Sequence, residues 1–405
     1  MISRLINYLI FSGLVAGVNF LIVIYMTRHI SIEDFGVVGL FMAILYILPQ
    51  FISFSSIGLV SINKVKLSNE KFLEFSKTHL TFSMLIFISV FFISIIIGII
   101  VKEYIILFLV IPIVSFVQYL TMFHNAELVQ DEQSKRYGIY KLILSIISLL
   151  FTVMAISYYN LSWDGRLYAI LFSELLLLLI TIKYSYTTLR NFVYKVDISK
   201  FKEYIYFGLP LIFGLSAGWL LNQADRFIVL SFFSLKDVGV YTLAYSIGMI
   251  INVINQAVTN AIIPKLYKSL EKKDGHKLVK KLNVYYSLTI LSLALIVGFS
   301  SFWYVPLLFG QEYIQSPMII LFIALAFALN GIYRVSGSVI VFYKRNIIQM
   351  KLLYISAILN IILSIALIPF FGMISPAIAT FFAYILLAYL SYTHGWKILK
   401  KEELC

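Results

Sequence analysis

Twelve apolar runs follow one another along this chain: residues 5–26, 36–60, 78–101, 104–124, 139–158, 166–186, 204–233, 238–263, 282–304, 314–342, 347–369 and 372–396. A run of about 18 or more apolar residues is long enough to cross the hydrocarbon layer as a helix. Hydrocarbon offers no partner to a backbone N–H or C=O, so spans of this length must satisfy their hydrogen bonds internally. The fold class that follows is an all-α integral membrane protein with twelve transmembrane helices. Apolar residues make up 61% of the 405 and charged ones 13%, which leaves no composition for a separate soluble domain. The first run is long and lacks a small-residue cleavage site, so no cleavable leader is expected.

The chain also repeats itself. Ser31-Ile32-Glu33-Asp34-Phe35-Gly36-Val37 recurs as Ser234-Leu235-Lys236-Asp237-Val238-Gly239-Val240, 203 residues later and so half a chain away. Each copy lies between two apolar runs, and the same offset carries Asn19 onto Asn222. Two similar halves in a membrane protein point to a transporter, in which two bundles move about a shared central site. The expected organisation is a six-helix bundle over 1–190, a cytoplasmic linker over 191–203 and a second six-helix bundle over 204–405, with a central cavity between related halves.

A net charge of +13 would suit nucleic acid, but its distribution argues otherwise. With a cytoplasmic N-terminus, 26 of the 32 Lys and Arg fall on the cytoplasmic side, four on the other (Arg28, Lys102, Arg166, Lys236) and two inside spans. This bias predicts both termini in the cytoplasm. Anionic membrane lipid is the expected partner of the basic loops, and nucleic acid is not. Cys405 is the lone cysteine, and the five histidines show no ligand spacing, so no metal, cofactor or catalytic centre is expected. No phosphate-binding glycine loop is present, so transport would draw on an ion gradient, the membrane potential or the substrate's own gradient.

Polar residues inside spans have to face protein or water. Asn252, Gln256 and Asn260 recur at helical spacing in the eighth run, Ser356, Asn360 and Ser364 in the eleventh, Tyr8, Ser12 and Asn19 in the first, and Ser216, Asn222 and Gln223 in the seventh. Such stripes either bond helix to helix or line a polar cavity, and amides and hydroxyls together suit sugar hydroxyls. Charges are sparser: Glu174, the neighbours Asp225 and Arg226, and Arg334. Each would cost roughly 2.5–3.5 kcal/mol at a helix centre on insertion scales. Arg226 and Arg334 could hold a phosphate group with paired donors, or could serve packing and snorkelling. Glu174 and Asp225 are the candidates for ion coupling, since a desolvated carboxyl can carry a proton through a transport cycle. Gly13 and Gly17, Pro49, Pro210 and Pro264 mark places of close helix approach or bending.

Phe207-Gly208-Leu209-Pro210-Leu211, Asn222, Asp225-Arg226, Asp237-Val238-Gly239-Val240-Tyr241 and Ala244-Tyr245 resemble the seventh and eighth spans of polysaccharide flippases. Ala261-Ile262-Ile263-Pro264-Lys265-Leu266-Tyr267, the stretch from Asn360 through Ile368-Pro369, Gly372 and Ala377-Ile378-Ala379-Thr380, and Glu33-Asp34-Phe35-Gly36 are similar to that family too. The chain thus resembles, over essentially its whole length, a Wzx-type O-antigen flippase of the multidrug/oligosaccharidyl-lipid/polysaccharide exporter superfamily. The resemblance implies two bundles in a V and a short oligosaccharide on undecaprenyl pyrophosphate, moved by alternating access from the cytoplasmic to the periplasmic leaflet of the bacterial inner membrane. It also implies an O-antigen polymerase and a chain-length regulator as partners, and a transporter rather than an enzyme. The expected substrate cavity comprises Asn19, Asn222, Arg226, Asn252, Gln256, Asn260, Arg334 and Asn360. A cation-coupled multidrug exporter of the same superfamily is one alternative, although the first run here lacks the carboxylate such exporters carry. An O-antigen polymerase is another, and would need a larger outward loop.

Overall fold

The computed structural model describes residues 2–102, 104–131, 133–182, 199–270 and 275–403. Thirteen α-helices occupy them. In chain order they are α1 (Ile2–His29), α2 (Ile32–Ile52), α3 (Ile57–Lys66), α4 (Asn69–Val101), α5 (Ile105–Gln130), α6 (Ser134–Ser157) and α7 (Trp163–Ile182). Then follow α8 (Ser199–Phe232), α9 (Leu235–Leu270), α10 (Gly275–Phe309), α11 (Ser316–Phe342), α12 (Asn346–Phe371) and α13 (Ser375–Glu403). Eleven of the twelve expected spans each coincide with one long helix, the sixth as far as Ile182, where the described residues stop. Ten stretches among the described residues are long and apolar enough to cross a membrane, the last running through both α12 and α13. The molecule is a multi-pass, all-helical membrane protein.

The expected second span, 36–60, is not one helix. It breaks over Ser53–Ser56, where Phe54 and Ser55 take φ values of 50° and 52°. Left-handed backbone is costly for residues with a Cβ, so neighbours must hold the break in place. His79 of α4 does so: its Nε2 lies 2.7 Å from Ser56 Oγ and its Nδ1 2.9 Å from the hydroxyl of Tyr119 on α5. Gly208 of α8 presses on the Phe54 carbonyl so closely that a Cβ there would overlap it. Pro49, Pro210 and Pro264 all sit inside helices that run on past them.

The chain packs as two units, one of residues 1–22 and 40–216, the other of 23–39 and 217–405. The boundaries differ from a division at 190 and 204, because helices α1, α2 and α8 each pass from one unit into the other. Residues 191–198 of the expected linker lie outside the described residues, and Ser199–Glu203 form the first turn and more of α8.

In the first unit α5 is the hub, packed on α3, α4, α6 and α7, with α6 on α7 and α3 on α4. In the second unit α11 is the hub, packed on α9, α10, α12 and α13, with α12 on α13 and α9 on α10. Each pairing of the first unit therefore recurs six helices later in the second. The hub α11 buries small and branched residues along its length, among them Ile319, Ile323, Ala326, Ala328, Val335 and Val339. Small side chains let helices approach closely where no hydrophobic force drives them together.

Candidate functional site

Most of the candidate residues on α8 gather in the second unit, in two layers one helical turn apart. In the first layer Asp225 is fully buried. Tyr241 of α9 donates its hydroxyl to Asp225 Oδ2 at 2.7 Å, and Thr380 of α13 donates to the same oxygen at 2.8 Å. With its NH2 group turned toward the carboxylate, Asn360 of α12 lies 3.3 Å from Asp225 Oδ1 and 2.7 Å from Thr380 Oγ1. In the second layer the side-chain oxygen of Asn222 accepts from Tyr384 of α13 at 2.7 Å and from Tyr245 of α9 at 3.4 Å. Its own NH2 donates to the Gly218 carbonyl at 2.7 Å. Each layer takes one residue from α8, one from α9 and one from α13. The 3.6-residue period explains this, since 222/225, 241/245 and 380/384 are each a turn apart.

Arg226 points a different way from its neighbour. Its guanidinium lies over the Tyr245 ring, 4.3 Å from the centroid, and one terminal nitrogen donates to Gln223 Oε1 at 2.6 Å. The side chain is only 6% exposed, and its Nε has no hydrogen-bond acceptor. Among the described residues no carboxylate lies within ion-pairing distance of it. The two neighbours thus differ in kind. The buried carboxylate is supplied with donors from three helices. The buried cation holds one amide and one ring face, and makes no direct ion pair among the described residues.

The remaining candidates are placed elsewhere. Asn360 belongs to the first layer, but Asn252 of α9 is half-buried and accepts from Asn330 of α11 at 3.3 Å. Gln256 is exposed, and the side chain of Asn260 lies outside the described residues. The buried polar face of α9 is instead Asn255 and Thr259. Asn255 donates to the Phe327 carbonyl at 2.6 Å and accepts from Tyr286 at 2.5 Å. Arg334 is half-buried on α11, beside the buried Tyr333. Asn19 is exposed on α1, within the first unit. Glu174, also in the first unit, is buried and accepts from Thr121 at 2.9 Å, with Gln118 as a further donor.

Sequence reasoning missed Tyr241, Thr380 and Tyr384 as members of the cluster. A signal existed, since Tyr241/Tyr245 and Thr380/Tyr384 are i, i+4 pairs of hydroxyls on otherwise apolar helices. It missed Arg166 as well, which was counted with the loops. Arg166 is 7% exposed and donates to Ser148 at 2.7 Å and Thr152 at 2.9 Å, both on α6. Its position at the very start of α7 disguised it.

The chain is similar to several known proteins. A Haemophilus influenzae protein of the Lsg locus is 24% identical over 259 residues, covering 59% of this chain and 62% of that one. The capsular polysaccharide biosynthesis protein CapF of Staphylococcus aureus is 28% identical over 194 residues, 46% of this chain and 48% of CapF. The matched stretch spans less than two thirds of either relative. In fold the chain matches the lipid II flippase MurJ in an inward closed conformation, with a TM-score of 0.80 at 15% identity over 97% of this chain and 87% of MurJ. It also matches the MATE multidrug transporter DinF-BH, with a TM-score of 0.71 at 18% identity, over 98% and 94% of the two chains. The family model described as polysaccharide biosynthesis protein matches residues 25–318, which takes in the repeated phrase, α8 and α9, and the chain belongs to that family.

Proposed function

We propose that this chain is a flippase that carries an oligosaccharide linked to undecaprenyl pyrophosphate across the membrane by alternating access. The observation that carries this reading is Arg226, a buried guanidinium with an unfilled Nε and no carboxylate within ion-pairing distance among the described residues. A buried cation that pairs directly with no carboxylate is costly to keep. A pyrophosphate supplies both the charge and the acceptors, and a guanidinium matches it with paired donors. The adjoining amides and tyrosine hydroxyls of Asn222, Tyr245 and Tyr384 suit sugar hydroxyls, which need donors and acceptors together. Arg334, Asn252, Gln256, Asn260 and Asn360 of the second unit, and Asn19 of the first, are the further residues we propose for the substrate. The lipid tail would stay in the bilayer.

Family membership supports a role in polysaccharide export, and the likeness to MurJ supports a fold suited to lipid-linked cargo. The charge bias supports an orientation with both termini in the cytoplasm and movement from the cytoplasmic to the periplasmic leaflet of the inner membrane. The substrate is then a repeat unit of the O-antigen kind, and the partners are its polymerase and chain-length regulator. The chain would bind and move its cargo without covalent chemistry. Asp225 or Glu174 would couple the movement to an ion.

The test is the fate of the lipid-linked oligosaccharide in cells lacking the chain. Single units held on the cytoplasmic leaflet, with no surface polymer, are expected. Single units reaching the surface unpolymerised would instead indicate a polymerase. Unchanged polysaccharide with heightened sensitivity to cationic drugs would indicate a drug exporter.

A further inference from the structure

Helix α6 carries a polar stripe for which transport, as proposed above, has no use. From Leu142 to Ile156 its only polar side chains are Ser145, Ser148 and Thr152. With Lys141 before them they stand at i, i+4, i+7 and i+11, on one face of the helix. The opposite face, through Ile146, Leu150 and Met154, is exposed. The stripe is turned inward: Ser145 and Ser148 are more than nine-tenths buried and Thr152 is fully buried. Helix α7 lays Arg166 against it, and that side chain is more than nine-tenths buried too.

The donors on this seam outnumber its acceptors. A guanidinium has five N–H groups. Nη1 donates to Ser148 Oγ at 2.7 Å and to Thr152 Oγ1 at 2.9 Å, which uses two of them. The three on Nε and Nη2 make no hydrogen bond among the described residues. That edge of the guanidinium is the one that meets an anion side-on. The Thr152 hydroxyl is spent on the Ser148 carbonyl at 2.6 Å. The hydroxyls of Ser145 and Ser148 donate to no acceptor among the described residues. Ser173 of α7 behaves otherwise, turning back to the carbonyls of Ala169 and Ile170 at 2.7 and 2.9 Å, as serines inside helices commonly do.

Charge points the same way. Among the described residues no carboxylate lies within ion-pairing distance of Arg166. Glu174, two turns along α7, already has Lys141 as an electrostatic partner and Thr121 and Gln118 as donors. Asp164 accepts from the backbone N–H groups of Ser162 and Gly165, both at 2.9 Å. One buried positive charge thus stands beside further donors, an arrangement that is costly unless an anion joins it. We propose that Arg166, Ser148 and Ser145 bind a small monovalent inorganic anion of the chloride kind inside the first unit. A single negative charge balances Arg166. A phosphate group would bring nearly two negative charges at neutral pH into a seam that already holds Glu174. The anion ties α6 to α7 and makes the stability of the first unit depend on halide. This site goes beyond the flippase reading and does not rest on it.

The test is thermal unfolding of the purified full-length chain in detergent, in sodium chloride against sodium gluconate at equal ionic strength. Chloride should raise the unfolding temperature by several degrees, with saturation, and bromide should replace it. Ser145→Ala should raise the chloride concentration for half effect by about tenfold or more, the worth of one hydrogen bond to a charged group. Arg166→Lys keeps the charge but loses the paired edge, and should abolish the dependence on chloride. Should that variant fail to fold, Ser145→Ala decides alone, since its hydroxyl supports no other described residue. Equal unfolding temperatures in the two salts overturn the site, and so does a Ser145→Ala chain with the parent's half-point. A larger shift from sodium phosphate than from chloride overturns the assignment to a monovalent anion. Crystals grown in sodium bromide should give an anomalous-scattering peak within hydrogen-bond reach of Arg166 Nε and Ser148 Oγ. Bromide peaks found only elsewhere overturn the site.

Discussion

The two units share one scaffold and differ in what they bury. Every helix pairing around α5 recurs around α11, yet the polar staples between corresponding helices have changed identity. The α4–α5 pair is held by His79 and Tyr119, and its counterpart α10–α11 by Asn283 and Ser336 at 2.9 Å. The α6–α7 pair is held by Arg166 on Ser148 and Thr152, and its counterpart α12–α13 by Asn360 and Thr380. The buried carboxylates differ as well. Among the described residues Glu174 takes hydrogen bonds from α5, with Lys141 of α6 as an electrostatic partner, whereas Asp225 draws hydrogen bonds from α9, α12 and α13. Backbone packing in a membrane depends on small and apolar surfaces, which many sequences supply. A hydrogen-bond network needs every member, so one change forces others. The scaffold can therefore keep its two-fold plan while each unit acquires its own chemistry.

The largest effect expected from this difference is on stability. Asp225→Ala strands three donors in the second unit and should lower unfolding stability by about 3–5 kcal/mol, the range for breaking a buried charged network. Glu174→Ala should lower it by about 1–3 kcal/mol, since fewer groups lose their acceptor. Thermal unfolding of the two variants in detergent ranks them, and an equal or larger loss for Glu174→Ala would break the comparison. His79→Leu removes the side-chain bonds that join α4 to Ser56 and Tyr119 and frees the break in the second span, so a loss of about 2–3 kcal/mol is expected. Asn283→Ala, with one cross-helix bond, should cost about 1 kcal/mol in the same assay. For Arg226→Gln the expectation reverses. Export should fall at least tenfold while the unfolding temperature stays within a few degrees, because the native cation is already short of partners. Arg166→Gln should do the opposite, losing stability before transport. Gln256→Ala, at an exposed position, should leave stability within about 0.5 kcal/mol of the parent.

The span positions were legible because hydropathy reports them directly, and eleven of the twelve apolar runs fall on single long helices. The break at Ser53–Ser56 was not, since no glycine marks it and Pro49 stays inside α2. Its causes, His79 and Gly208, lie on other helices. Side-chain direction was harder still. On α9 the sequence offers one stripe through Asn252 and Gln256 and another through Asn255 and Thr259, with the same spacing. Neither periodicity nor composition says which meets α11, because lipid and neighbouring helix are about equally apolar. Asp225 and Arg226 stood out as charges inside a span, but adjacency hid how differently they are housed. The hydroxyls that complete the layers, on Tyr241, Thr380 and Tyr384, carry no charge and so gave little signal against an apolar background.

The most direct measurement concerns Arg226. Purified chain in vesicles carrying a fluorescent undecaprenyl-pyrophosphate oligosaccharide in both leaflets would be tested for movement of the label between leaflets, with Arg226→Gln alongside. The account predicts transfer by the parent, little by the variant, and competition by unlabelled pyrophosphate-linked lipid. Equal transfer by parent and variant would contradict the assignment of Arg226 to the pyrophosphate. No transfer by a folded parent would contradict the flippase itself.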